Sequence, residues 1–308
     1  MRDFVRIFGG VPDEPRAAQH NTAALNHSFA SLRRGDTLHI PSHTFHLNGG
    51  VEGSRLIDVV IQIDGTLIFT PHISSWPHSW GSVPWPDPIQ ESRRAVWRGV
   101  GSESDQTGWY MPCPPPRANA TQFSGRGYLA GMAFWDCSNI TLTSSNGRGE
   151  LYGNGRAWWS LPGIGYLLHQ EYRPRLLTVA SSRRVLIENL LFSDSPYWTT
   201  LFERVEELEV RRCGIVARRT GELSHGLVDL TAFNTDGFDL AGCRHVWIHD
   251  CAIWTQDDAI AVKDAFRCPS DADQAPNGTY ALAVPSEHVR LLLQNPRVSE
   301  PLQVQTLT

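Results

Sequence analysis

The run Val205-Glu206-Glu207-Leu208-Glu209-Val210 recurs without gaps as Cys137-Ser138-Asn139-Ile140-Thr141-Leu142, Ser182-Arg183-Arg184-Val185-Leu186-Ile187 and Cys243-Arg244-His245-Val246-Trp247-Ile248. Each run alternates apolar and polar side chains with the two-residue period of a half-buried strand. The anchors Ile140, Val185, Leu208 and Val246 are spaced 45, 23 and 38 residues apart. Those intervals fit coils of about 20 to 23 residues, with one coil skipped in the first interval and a longer loop in the last. Strands of four to six residues with no helical pattern between them argue against βαβ units. They predict an all-β chain wound as a parallel β-helix, each coil burying its inward side chains against the coils above and below.

Two motifs lie within the repeats. Asn234-Thr235-Asp236-Gly237 is followed by Gln256-Asp257-Asp258, and Asp236 precedes Asp257 by 21 residues, about one coil. Coils stack about 4.8 Å apart, so Asp236 and Asp257 are expected side by side with Asp258 next to them. Like charges that close oppose ionisation, which is hard to justify structurally and suits acid/base chemistry on a bond held between them. Because neighbouring residues on a flat strand face opposite ways, Asp257 and Asp258 share one cleft only if the backbone bends between them.

Working outward, residues 8 to 35 carry Leu25, Phe29 and Leu32 at helical spacing, with Asn21 or Thr22 as N-cap and Gly35 as stop. A short N-terminal helix there would cover the open end of the solenoid, where unpaired strand edges invite aggregation. Strands are expected at Thr37–Ile40 and from Val59 to Phe69. Residues 73–123 form an insertion whose first part, to residue 117, holds five of the eleven tryptophans and eight prolines. Proline at that density forbids regular ladders, so long loops are expected, their tryptophans packing on the body or stacking on sugar rings. One β-helix domain is therefore expected over residues 1–264. After about Ala265 the coil rhythm is lost, and residues 265–308 read as an atypical tail.

Composition bounds the rest. The 308 residues carry a net charge of −5, which argues against general nucleic-acid binding. No run of eighteen apolar residues exists, so no membrane span is expected. The segment after Met1 lacks the apolar core of a signal peptide. Six scattered cysteines without a C-x-x-C pattern predict neither a disulfide framework nor a structural zinc site.

The motifs taken together resemble family 28 of the glycoside hydrolases, the polygalacturonases and their relatives. Asn234–Gly237 and Gln256–Asp258 match the family's N-T-D-G and Q-D-D. Phe8-Gly9-Gly10-Val11-Pro12-Asp13, Gly35–Pro41, Gly153-Asn154-Gly155, Arg173-Pro174 and Ser195–Thr199 fall in the family's order. The resemblance implies a right-handed parallel β-helix of the pectin lyase-like kind. It also implies a monomer acting on pectin outside the cell, by inverting hydrolysis of α-1,4-galacturonosyl bonds without a metal. It makes Asp257 the general acid and gives Asp236 and Asp258 the attacking water. Asn234 and Gln256 are expected to position carboxylates or the sugar, and Lys263, near the cleft, to bind substrate without replacing the family's basic pair. The family's G-H-G and R-I-K motifs do not occur in this sequence, Ala259 stands where a cysteine is usual, and Lys263 is the chain's one lysine. A product truncated after the second catalytic motif is therefore expected. The competing readings are a calcium-dependent pectate lyase-like β-helix and a non-catalytic or defective pectin-binding homologue.

Overall fold

A computed structural model describes residues 1–77, 128–159, 173–218 and 232–263. It also describes the backbones of four further strands, Ala265–Phe266, Ala283–Val284, Glu287–Leu293 and Gln305–Leu307. Six coils stack in parallel, each contributing to three sheets. The first sheet runs through Thr37–Ile40, Ile57–Ile63, Ser138–Thr143, Arg183–Glu188, Glu206–Arg211 and the first half of Arg244–Trp254. The second comprises Thr44–Leu47, Thr66–Phe69, Gly149–Tyr152, Leu190–Ser193, Gly214–Val216 and the second half of Arg244–Trp254. The third comprises Val51–Ser54, Met132–Trp135, Leu177–Ala180, Thr200–Glu203, Phe238–Ala241 and Ile260–Lys263. Coils 1 to 6 below follow this order.

The expected anchors are direct register partners: Ile140 with Val185, Val185 with Leu208, and Leu208 with Val246. No coil is skipped in the 45-residue interval, contrary to expectation. Ser138–Thr143 pairs directly with Arg183–Glu188, so the extra length is an excursion from a single coil. Spacing alone does not separate a skipped coil from a long loop; the register does.

Interior rows of stacked apolar residues follow from the repeat. Val59, Ile140, Val185, Leu208 and Val246 form one row, and Ile61, Leu142, Ile187, Val210 and Ile248 the next, all at most 2% exposed. In the five first-sheet strands after Thr37–Ile40 the second residue is left-handed: Asp58, Asn139, Arg184, Glu207 and His245 have φ between 52° and 58°. These residues are skipped in the pairing, a bulge in each of coils 2 to 6 that turns the chain at the same corner.

The first helix is Phe4–Phe8 (α1), and the capping helix is Ala18–Ser31 (α2). α2 begins earlier than expected, and Asn21 and Thr22 are not its caps. Its N-terminus has no side-chain cap, and it ends at Leu32 rather than Gly35. Asn21, fully buried, bonds Val11 N–H and the Val11 and His46 carbonyls. Thr22 Oγ1 accepts from Asn48 N–H. Both side chains fasten the helix to coil 1, while Leu25 and Phe29 (at most 1% exposed) plug its apolar end. The single strand expected over 59–69 is two, Ile57–Ile63 and Thr66–Phe69, broken at Asp64-Gly65 where the chain turns between sheets.

Of the 73–123 insertion, only its first five residues lie among those described. They form the 3₁₀ turn Ile73–Ser75 and a buried Trp76, whose Nε1 donates to Leu129 O at 2.7 Å. Trp76 packs the body; the other four tryptophans lie outside the described residues. In the tail, the Glu287–Leu293 backbone adds a parallel strand to the first sheet, Val289 beside Val246 and Leu291 beside Ile248. The loss of coil rhythm expected from Ala265 does not extend to this segment.

Candidate active site

The third sheet differs from the other two. Its strands Met132–Trp135, Leu177–Ala180 and Phe238–Ala241 are buried at every position, where the first sheet's strands alternate. Its outer face carries a polar cluster built around the turns that lead into Phe238–Ala241 and Ile260–Lys263.

The residues of Asn234–Gly237 have separable local roles. Asn234 takes φ 55°, a left-handed conformation that asparagine tolerates. Thr235 Oγ1 donates to Ala232 O at 2.7 Å and accepts from Gln256 N–H at 3.3 Å, tying its turn to the next coil. Gly237 is required by close approach, because a Cβ there would lie 2.3 Å from Ala259 O. Gln256 turns back to the preceding coil, its Oε1 accepting from Ala232 N–H at 2.8 Å. Thr255–Ala259 is a bend between strands ending at Trp254 and starting at Ile260, so strand alternation does not separate Asp257 from Asp258.

The register corrects one detail of the expected stacking. Phe238 pairs with Ile260, an offset of 22, and Gly237 N–H bonds Asp258 O at 2.8 Å. By that register Asp236 lies level with Asp258 rather than Asp257. All three aspartates nonetheless converge, with one carboxylate oxygen from each within 4.8 Å of the others. Among the described residues this is also the group of acidic side chains close enough to hold a cation. Asp236 is buried, at 4% exposure, whereas Asp257 and Asp258 are exposed. Asp257 is oriented by Asn234, whose N–H and Nδ2 donate to Oδ2 at 3.0 and 3.3 Å, and by Asp258 N–H, which donates to Oδ1 at 2.9 Å.

Beneath the aspartates lies a layer that the motifs did not reveal. Arg173, 1% exposed, donates to Asn234 Oδ1 at 3.1 Å, Phe233 O at 2.8 Å and Pro196 O at 3.0 Å. Its guanidinium sits 5.0 Å from the centre of the Tyr197 ring, which stacks on Trp198 at 5.3 Å. Trp198 in turn carries the Arg175 guanidinium at 4.5 Å and the Lys263 ammonium at 3.6 Å. Lys263, expected at the substrate, lies in this layer. It bonds the fully buried Asp239 and lies 3.7 Å from Asp236 Oδ2, so its charge is engaged by the protein's own carboxylates. Asp239 had a sequence signal: it is a charge at an outward position of the apolar strand Phe-Asp-Leu-Ala. Arg173 had none beyond its place in the Arg-Pro landmark.

Burial, reinforced by the charges of Asp239 and Asp257 and opposed by Lys263, pushes the Asp236 carboxyl up to about 8. Burial likewise raises Asp239 to about 6, against Lys263 and Arg175. A folded chain therefore keeps a proton on Asp236 that the unfolded chain releases from about pH 4 upward. This contribution to stability is full below that pH and is lost as pH rises to about 8. The Asp236→Asn variant is expected to unfold at a higher temperature than the wild type at pH 8, by several degrees, with a smaller difference at pH 5. Thermal melts of both proteins at the two pH values check this, and parallel pH dependences would contradict it.

The sequence profile of the family described as glycosyl hydrolases family 28 matches residues 118–267. A probable polygalacturonase of Vitis vinifera is 26% identical over 264 residues, covering 84% of this chain and 43% of the relative. A Saccharomyces cerevisiae polygalacturonase is 26% identical over 163 residues, covering 53% of this chain and 42% of the relative. The chain thus spans about two-fifths of the length of these relatives. Among solved structures, the Thermotoga maritima exopolygalacturonase superposes with a TM-score of 0.54 at 20% identity, covering 92% of this chain and 57% of that one. The Erwinia carotovora polygalacturonase gives 0.55 at 17%, covering 84% and 57%. Both share the right-handed parallel β-helix. The fold, the ordered motifs and the profile match over residues 118–267 all point to similarity with glycoside hydrolase family 28.

Proposed function

We propose that this chain hydrolyses α-1,4-galacturonosyl linkages of pectin, acting as a monomer outside the cell. The observation that carries the reading is the convergence of one buried and two exposed aspartates at the junction of coils 5 and 6. Their separation of 4.8 Å or less fits one bridging water, since two O–H···O bonds of about 2.7 Å each span that distance. Asp257, exposed and fixed by Asn234, gives its proton to the leaving glycosidic oxygen. Asp236, protonated in the free protein at neutral pH, donates a hydrogen bond that orients the water, and Asp258 accepts the water's proton as the oxygen attacks the anomeric carbon. No metal enters these steps.

The relatives' names support a polysaccharide substrate, and the family's chemistry supports inversion. Proton NMR of oligogalacturonate during turnover tests both. The expected first product is a β-configured reducing end. A retained α-product would instead match the short oxygen separation, because retaining enzymes hold their carboxyls about 5 to 5.5 Å apart. An unsaturated product dependent on calcium would replace the hydrolase with a lyase.

A further inference from the structure

The corner after the second-sheet strands of coils 3 to 5 carries a charged residue in each coil, in line with the coil 6 corner that holds Asp257 and Asp258. Arg156 follows coil 3, Asp194 coil 4 and Arg218 coil 5, and Trp254 ends the second-sheet strand of coil 6. Successive coils rise about 4.8 Å, so the row runs along the solenoid axis. It ends at Trp254, three residues before Asp257.

The residues brace one another. Arg156 Nε donates to Asp194 Oδ2 at 3.1 Å, and its Nη2 reaches Arg218 O at 3.4 Å. The backbone N–H of Arg218 donates to the other carboxylate oxygen, Asp194 Oδ1, at 3.3 Å. The Arg218 guanidinium lies over the Trp254 ring, 5.8 Å from its centre, and forms no ion pair among the described residues. Its position is therefore fixed by a ring face and a backbone bond, neither of which neutralises its charge. The Arg156 side chain is 52% exposed. Arg156 is paired with Asp194, whereas the Arg218 guanidinium rests on the Trp254 ring with no carboxylate partner among the described residues.

We propose that Arg218 and Arg156, held by Asp194 and the Trp254 ring, form a subsite that binds a carboxylate of the sugar chain next to Asp257. A guanidinium offers paired donors that match a carboxylate, and a uronic acid unit carries one carboxylate per ring. The proposal rests on the galacturonan reading above and names the residues that select the acid over its ester.

Calorimetric titration with trigalacturonate and with its methyl ester tests it, on the wild type, Arg218→Gln and Arg218→Lys. The wild type is expected to bind the acid about tenfold or more tighter than the ester. Arg218→Gln is expected to bring that ratio to near one, and Arg218→Lys to retain part of it. An Arg156→Gln variant, altered at a half-exposed position, is expected to lower the ratio as well. A ratio unchanged in Arg218→Gln, or a wild type that binds neither ligand or both equally, would overturn the subsite. Reducing-end release followed in the same samples separates the two claims. Hydrolysis with an unchanged ratio removes only the subsite, and a selective ratio without hydrolysis removes only the hydrolase reading.

Discussion

Asp257→Asn is expected to lower kcat on polygalacturonate about a thousandfold, within the range general acid catalysis supplies. It should leave the melting temperature within a degree or two. Asp257 is exposed, and the amide oxygen of asparagine can still accept from Asn234 N–H, so the turn keeps its geometry. What is lost is the proton for the leaving oxygen. A substrate with a leaving group that needs no protonation should therefore recover much of the rate in this variant. Steady-state kinetics on polygalacturonate and on an activated aryl galacturonide check both halves. Retention of activity on polygalacturonate would remove Asp257 from the acid role.

The second large effect belongs to a residue that touches no substrate. Arg173→Met is expected to destabilise the protein by about 3 kcal/mol, because two backbone carbonyls and Asn234 Oδ1 lose a charged donor in a buried site. A loss of that size corresponds to a melting temperature lower by roughly 5–10 °C. The catalytic effect should exceed the structural one, since Asn234 orients Asp257 and is itself held by Arg173. Arg173→Lys keeps the charge but not the fork that reaches three acceptors, so it is expected to recover stability more than kcat. If Arg173→Lys restores both equally, Arg173 serves the fold and not the orientation of Asp257. Thermal melts and kcat measured together give the answer.

Much of this architecture was legible in the chain. The gap-free repeats located the first-sheet strands and their anchors, because a solenoid interior forces the same apolar pattern on every coil. Asn234–Gly237 and Gln256–Asp258 located the acidic cluster, and the structure supplies a local reason for each motif position from Asn234 to Gly237. The coil count was misread because the 45-residue interval holds a long excursion, and sequence spacing does not distinguish excursion from coil. Asn21 and Thr22 were misread as caps because polar side chains near a helix start also serve as tertiary fasteners. The buried layer of Arg173, Arg175, Trp198, Asp239 and Lys263 was not read as a layer at all. Its members come from four coils, and only register brings them together.

One measurement bears most directly on the claim that three aspartates make this chain a hydrolase: reducing-end release from polygalacturonate by the purified protein, with and without EDTA. The account predicts release that EDTA does not diminish. Release abolished by EDTA, or no release from a well-folded, β-rich sample, would contradict it.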